Sequence, residues 1–318
     1  MNPKVNGYLR IEHRSEGRRA RRYTPAMVPL AARYLELLKK SLLDELYIEN
    51  EARLVYLILT IAGQSVAEEE TIRDIATERP DIVQRLREWR REGRISFVWD
   101  VSQPDGSVMR TNFRNVMEFY HTMIGRKRLD NIQQLMEQVI ADGIPGDVIE
   151  TGVWRGGVVI LMRAILEAYG DPDRAVYAAD SFQGLPPPDL SAYPADAGSR
   201  LHDAEPLVVA RSEVERNFRL YGLLDERVRF LEGWFADTLP TVADRTWSVV
   251  RLDGDMYGST IDALENLYPR LSVGGFLIVD DYGFDPCRQA VTDYRDAHGI
   301  DDPIESIDWL GAFWRRAH

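Results

Sequence analysis

Five short apolar runs punctuate the second half of this 318-residue chain, and each is closed by an acid or a glycine at or just past its end. They are Asp147-Val-Ile-Glu150, Ala175-Val-Tyr-Ala-Ala-Asp180, Val228-Arg-Phe-Leu231, Trp247-Ser-Val-Val-Arg-Leu252 and Phe276-Leu-Ile-Val279. Helical patterns stand around them. Ile132, Leu135, Met136 and Ile140 share one face of a helix ended by Gly143 and Pro145, and another helix is expected from Gly157. Alternation of this kind predicts repeated βα units and a mostly parallel α/β sheet. Open sheets of that type bind ligands beyond the carboxyl ends of their strands, so the closing acids and glycines mark the edge where function is expected.

The fourth and fifth runs carry the sharpest signal. Asp253 and Asp255 follow the fourth, and Asp280 and Asp281 follow the fifth. If the two strands are neighbours and parallel, these acids gather at one edge and repel one another unless a positive charge lies among them. A hard divalent cation such as Mg²⁺ suits an all-oxygen set of this kind. The pattern points to a metal-assisted enzyme.

The first run continues into Glu150-Thr-Gly-Val-Trp-Arg-Gly-Gly157, a glycine-rich strand-to-helix turn that lets a ligand approach the backbone. Its E-x-G-x-x-x-G spacing is not the G-x-G-x-x-G of dinucleotide enzymes, which weakens an oxidoreductase reading. Glu150 would suit a cationic group of the ligand. Asp180 closes the second strand about 30 residues on, where an acid commonly takes ribose hydroxyls. Glu232-Gly-Trp-Phe235 closes the third, and its aromatics serve equally well to flank an adenine or to fill the core. Together these strand ends describe an adenosine site with an acid at its amino-acid end, the layout expected for S-adenosylmethionine.

Bulk properties remove other classes. The formal net charge of −12 argues against general nucleic-acid binding. One cysteine, Cys287, forbids an intrachain disulfide and a cysteine-based zinc cage, and it reads as a small buried filler. The most apolar stretch, residues 54–62, is far short of the roughly 20 residues a membrane span needs. The first residues lack a signal-peptide layout, so a cytoplasmic location is the default expectation.

The amino-terminal region reads differently. Residues up to about 23 form a basic arm with Arg18, Arg19, Arg21 and Arg22. After Pro25 and Pro29, Leu35, Leu38, Leu42 and Leu46 recur at helical spacing. A second apolar segment, residues 54–61, stops at Gly63. A third helix is expected near Asp81, with Ile82, Leu86 and Trp89 on one face. Residues 95–101 suggest a short strand ending at a Pro104-Asp-Gly106 turn.

Several segments in order resemble the TylF/MycF family, the macrocin-type O-methyltransferases of antibiotic sugar tailoring. They are His121-Thr-Met-Ile-Gly-Arg-Lys-Arg-Leu-Asp-Asn131, Gly146-Asp-Val-Ile-Glu-Thr-Gly-Val-Trp-Arg-Gly-Gly157, Ala179-Asp-Ser-Phe-Gln-Gly-Leu-Pro-Pro-Pro-Asp189, Phe230-Leu-Glu-Gly-Trp-Phe-Ala-Asp-Thr-Leu-Pro240, Leu252-Asp-Gly-Asp-Met-Tyr257 and Asp280-Asp-Tyr282. The resemblance runs from about Tyr120 to the carboxyl end, with a weaker match around residues 34–47. It implies a class I methyltransferase, Rossmann-like and mostly parallel, with one antiparallel carboxyl-terminal strand. Residues 116–318 would form that domain, and residues 1–115 a basic arm with a mainly helical extension that covers the site or pairs subunits.

The resemblance also implies an activity. Such enzymes use S-adenosylmethionine and Mg²⁺ to methylate a hydroxyl of a deoxysugar attached to a larger natural product. Asp253, Asp280 and Asp281 would carry the metal, with Asp253 doubling as base. Thr122, Met123, Glu150, Thr151, Gly152, Trp154 and Gly156 would meet the methionine side of the cofactor and its turn. Asp180, Ser181, Phe182, Gly233, Trp234, Phe235 and Asp253 would complete its site. Asp255 reads as a cap or turn acid of the following helix. The loop over residues 193–206 resembles the family's lid, and His121 and His202 are candidate acceptor-site residues. Trp309 and Phe313, in an alternating tail, read as core packing. A small glycosylated acceptor is the implied partner, and a homodimer or higher homo-oligomer the implied assembly. A catechol or phenol O-methyltransferase on the same scaffold, or an adenosine-binding module without catalysis, remain as alternatives.

Overall fold

The computed structural model describes residues 28–61, 68–93, 98–102, 107–112 and 120–318. The basic arm, the stop at Gly63, residues 95–97 and the turn at Pro104-Asp-Gly106 lie outside the described residues. The amino-terminal region holds α1 (Val28–Leu42), α2 (Ile48–Ile61), α3 (Glu69–Arg73), α4 (Ile75–Glu78), α5 (Pro80–Glu92), β1 (Val98–Ser102) and β2 (Val108–Asn112). The rest runs α6 (Arg126–Ala141), β3 (Asp147–Thr151), α7 (Gly157–Ala168), β4 (Val176–Asp180), α8 (Arg211–Leu220) and β5 (Val228–Glu232). It continues through α9 (Phe235–Thr238), β6 (Trp247–Leu252), α10 (Tyr257–Leu267), β7 (Leu271–Val279), α11 (Asp285–His298), β8 (Glu305–Ser306) and β9 (Ala312–Arg315).

The main sheet has seven strands in the order β5-β4-β3-β6-β7-β9-β8. From β5 to β7 every pair is parallel, and β9 runs antiparallel to both of its neighbours. The chain starts at the centre with β3, works outward through β4 and β5, then returns to lay β6 on the other side of β3. That reversal leaves a crevice beyond the carboxyl ends of β3 and β6, the position where open α/β sheets take ligands.

The apolar runs become strands because both faces are covered. Val148, Val249 and Ile278 look into a core shared with α1, α6 and α7, while Ile149, Val250 and Leu277 look into one shared with α10 and α11. Parallel strands buried on both faces read as continuous apolar runs, which is the pattern in the sequence. No described helix is long and apolar enough to cross a membrane.

The amino-terminal region departs from its expected outline in two ways. The helix carrying Leu35, Leu38 and Leu42 ends at Leu42, because Asp44 takes a left-handed backbone, and Leu46 lies exposed in the short turn that follows. The leucines of α1 also pack against α6 and α7 and so belong to the main core. The segment from α2 to α5 has a separate small core, built on Ala52, Val55, Leu59, Ile75, Ile82 and Leu86. Pro80 starts α5, and Gly93 ends it with a left-handed cap whose N–H returns to Trp89. At the tail the core residue is Trp314, whereas Trp309 is about half exposed and Phe313 only partly buried. The expectation of core packing for Trp309 is therefore corrected: its ring lies outside the sheet, in the turn before β9.

A buried charge fixes the small helical unit in place. Arg90 on α5 donates its Nε–H to the carbonyl of Leu43 at 2.6 Å and pairs with Glu51 of α2 and the hydroxyl of Tyr120. Arg90 and Glu51 are both almost completely shielded from water. Removing one member of such a pair leaves the other buried without a partner. Arg90→Ala is expected to cost about 3–5 kcal/mol in unfolding free energy, read from the urea midpoint at unchanged slope. A loss below about 1 kcal/mol would show that the pair does not anchor this unit.

Candidate active site

The carboxyl ends of β3, β4, β5 and β6 meet around a pocket of about 730 Å³ of open space, its mouth included. That size suits a small organic ligand. Nine of the expected cofactor residues line it: Met123, Gly152, Trp154, Asp180, Ser181, Gly233, Trp234, Phe235 and Asp253. Thr122, Glu150, Thr151, Gly156 and Phe182 do not, and each lies behind the wall. Glu150 is fully buried, Thr151 is covered within the sheet, and Gly156 makes the left-handed turn into α7. Phe182 faces Phe230.

Gly152 has the tightest constraint. Its φ is +82°, and a Cβ there would lie 1.6 Å from the carbonyl oxygen of Asp253. The strand-end turn of β3 and that of β6 thus touch backbone to backbone, and only glycine permits the approach. Asp180 holds the same turn from the other side. Its Oδ2 accepts the N–H of Val153 at 2.7 Å and of Trp154 at 3.3 Å, and its Oδ1 accepts that of Phe182 at 2.7 Å. The acid expected to meet ribose therefore also shapes the pocket floor. Burial raises its pKa, and the three backbone donors oppose that rise.

The acid cluster lies beside this pocket. Asp253, Asp280 and Asp281 place carboxylate oxygens within 4.8 Å of one another. Beneath them Arg251, directly opposite Glu150 across the β3–β6 pair, is almost wholly buried. It pairs with Glu150 and Asp280 and donates to Asp253 Oδ2 at 2.8 Å. Arg128 of α6 donates to Asp280 Oδ2 at 2.6 Å and to Asp308 Oδ2 at 2.8 Å. Burial works to lower the pKa of Arg251, but Asp280, Asp253 and Glu150 outweigh it. The two guanidiniums thus pair with four carboxylates, those of Glu150, Asp253, Asp280 and Asp308, while Asp255 and Asp281 add two more acids beside Asp253 and Asp280.

The negative excess appears in the acids themselves. Burial, then Asp280, pushes Asp253 up to about 6. Burial, then Asp253 and Asp280, pushes Asp255 up to about 7. Burial, then Asp255, Asp253 and Asp280, raises Asp281 well above the carboxylate range. A divalent cation fits this donor set on charge and on chemistry: three oxygen ligands, hard, converging and under-compensated.

Asp255 does not cap the helix after it, contrary to expectation. The cap comes from Asp196, sixty residues upstream, which accepts the N–H of Tyr257 at 2.7 Å and of Gly258 at 3.0 Å. Asp255 instead has φ +59°, lines the pocket, and donates its own N–H to Asp281 Oδ2 at 3.0 Å. A strained non-glycine backbone beside a ligand site is a common mark of function. Sequence reasoning also missed Leu185, Pro186, Leu207, Ser259 and Asp262 in the pocket wall. The Pro-rich stretch after Asp180 was the available signal for the first two.

Residues 193–206 run in short helical turns and bond to two residues of the pocket wall, Trp154 and Asp262. Pro206 accepts the indole N–H of Trp154 at 2.9 Å, and Tyr193 donates its hydroxyl to Asp262 at 3.1 Å. His202 and His121 do not line the pocket; His121 pairs with the hydroxyl of Tyr221 at 2.7 Å.

A glycine-floored crevice at the switch point of a seven-stranded sheet, with an acid cluster at its edge, defines a Rossmann-like α/β protein with a ligand site at its strand ends. The chain matches the Macrocin-O-methyltransferase (TylF) family over residues 31–316. It is 54% identical over 221 residues to the 8-demethyl-8-(2,3-dimethoxy-alpha-L-rhamnosyl)-tetracenomycin-C 4'-O-methyltransferase of Streptomyces olivaceus, which covers 69% of this chain and 84% of that protein. It is also 54% identical over 200 residues to the mycinamicin III 3''-O-methyltransferase of Micromonospora griseorubida, covering 62% of this chain and 79% of that protein. The solved structure of the O-methyltransferase NovP superposes with a TM-score of 0.69 at 43% identity, over 91% of this chain and all of that one. The chain belongs to the macrocin O-methyltransferase family and is an O-methyltransferase.

Two predictions follow from the geometry of the site. In metal-free protein Asp253 and Asp255 bind protons more tightly folded than unfolded, where both titrate near 4. Their destabilising effect is absent below about pH 4 and complete above about pH 7, so stability falls as pH rises through that window. Melting of EDTA-treated protein is expected to occur at lower temperature at about pH 7.5 than at about pH 5.5, with a smaller drop in Asp255→Asn. An equal drop in the variant contradicts the assignment. Asp196→Ala is expected to destabilise by about 1 kcal/mol and to speed limited proteolysis within residues 193–206. Unchanged cleavage would show that the cap does not hold the loop.

Proposed function

We propose that the chain methylates a hydroxyl of a sugar carried by an antibiotic-like natural product, using S-adenosylmethionine and Mg²⁺. The observation that carries this is the acid cluster of Asp253, Asp280 and Asp281 at the rim of the pocket, in a chain whose relatives are named as methyltransferases of glycosylated antibiotics. Phenol methylation on the same scaffold draws no support from those names.

An alkyl hydroxyl is a poor nucleophile because it holds its proton tightly. Asp253, Asp280 and Asp281 would hold Mg²⁺, whose charge, when bound, lowers the pKa of a hydroxyl placed beside it. S-adenosylmethionine supplies the methyl group. Gly152, Asp180, Trp234 and Phe235 line the pocket that would hold it, with Asp180 suited to its ribose hydroxyls and the two aromatics to its adenine. Asp253 takes the hydroxyl proton as general base. The loop over residues 193–206 excludes water, which favours a reaction that neutralises a sulfonium. Fixing donor and acceptor in line is the remaining contribution of the walls.

One observation favours a second carboxylate as base. Both acids line the pocket, but Asp253 already gives Oδ2 to Arg251, whereas Asp255 is held there through its backbone by Asp281. Under that alternative Asp253 serves the metal and Asp255 accepts the proton.

The test is transfer from labelled S-adenosylmethionine to a panel of glycosylated macrolide, aminocoumarin and nucleoside-type acceptors, with Mg²⁺ or EDTA. Turnover is expected to vanish with EDTA; turnover indifferent to EDTA overturns the metal. Asp253→Asn is expected to lower kcat by about 100-fold or more while S-adenosylmethionine binding persists. Loss of turnover in Asp255→Asn, with Mn²⁺ binding intact, would transfer the role of base to Asp255. We further propose that the chain pairs with a copy of itself. Tyr47, Leu54 and Ile61 stand exposed seven residues apart, and light scattering showing a monomer would reject the pairing.

A further inference from the structure

We propose that Arg128 is a positioning residue that ties the metal ligand Asp280 to the seating of the small helical unit α2–α5. The inference rests on the reading of Asp280 as a metal ligand given above, and it assigns a part to residues well outside the pocket.

Arg128 stands one turn into α6 and is almost wholly buried. One edge of its guanidinium holds Asp280 Oδ2 at 2.6 Å, and its Nε holds Asp308 Oδ2 at 2.8 Å. Asp280 has Arg251 on its other oxygen, so both oxygens are steered by guanidiniums. Asp308 spends its remaining oxygen on the turn before β9, accepting the N–H of Leu310 at 2.9 Å and of Gly311 at 2.8 Å. The carbonyl of Leu310 in turn accepts the N–H of Gly283, two residues past Asp281. Arg128 therefore sets the position of a turn that is itself fastened to the acid loop.

The same turn reaches the helical unit. Trp309 lies with its ring 5.9 Å from the Arg128 guanidinium and donates its indole N–H at 3.0 Å to the carbonyl of Glu92, the last residue of α5. Beside it the Glu92 carboxylate pairs with Lys127 at 3.0 Å. Gly93 then meets Gly125, the residue before α6, so closely that a Cβ on Gly93 would lie 2.4 Å from the Gly125 nitrogen. The end of α5 is thus clamped to the first turn of α6, and the path Glu92, Trp309, Asp308, Arg128, Asp280 is continuous contact. Outer groups of this kind orient metal ligands and change metal affinity when altered. A lysine cannot replace Arg128, because one ammonium cannot hold Asp280 and Asp308 in the same fork.

The test uses the full-length protein with Mn²⁺ as probe, free Mn²⁺ being followed by electron paramagnetic resonance. Arg128→Lys is expected to weaken Mn²⁺ binding about tenfold or more, and Trp309→Phe about threefold. S-adenosylmethionine affinity is expected to stay within about twofold in both, which a general loss of structure would not allow. In the double variant the losses combine to less than their product, because they interrupt one path. Parent-like Mn²⁺ binding in Trp309→Phe, or losses that multiply fully, overturns the proposal. If the parent protein binds no Mn²⁺, the metal reading fails, and the coupling is decided by hydrogen exchange without metal. Asp280→Asn must then speed exchange at the end of α5 about threefold or more, and unchanged exchange there overturns the coupling.

Discussion

Arg251 lies under the carboxylates of Glu150, Asp253 and Asp280 with almost no access to water, and the sheet edge above it depends on that placement. β6 carries the arginine, β3 presents Glu150 directly across from it, and the end of β7 brings in Asp280. Three strands are thereby joined at the side-chain level just where their backbone ladder ends. A buried guanidinium without these acids would be costly, and the acids without it would repel. Neither half is stable in this position alone, so the charge cluster and the strand order require each other.

That arrangement divides the labour along the crevice. Asp180 and Gly152 belong to the half that shapes the pocket floor, and Asp253 begins the acidic half. The two halves share a wall where Gly152 meets the Asp253 carbonyl. Because this contact is backbone to backbone, a shift of one strand end displaces the other. Positional accuracy between donor and acceptor is then a property of the sheet and not of mobile side chains.

Much of this was legible in the sequence, for physical reasons that differ between elements. The apolar runs gave the parallel strands because strands covered on both faces have no polar alternation. The acids at 253, 280 and 281 were visible because three like charges at strand ends demand an explanation. What stayed hidden depended on long-range partners. The pairing of Glu150 with Arg251 was hidden, since nothing local in either segment reveals that partner. Asp255 looked like a cap, since the true cap, Asp196, lies sixty residues away in a loop. Trp309 looked like core because its alternation is that of a strand, yet the turn held by Asp308 places it outside the sheet.

The borrowed cap on α10 has a consequence for access to the crevice. Asp196 belongs to the loop over residues 193–206, so any departure of that loop uncovers two amide groups at the head of a helix whose next residues form part of the pocket wall. Asp196 thus ties the loop over residues 193–206 to the head of α10 by a cap worth on the order of 1 kcal/mol. A change in that loop therefore acts on the pocket wall through Ser259 and Asp262 of α10, one step removed from the crevice itself.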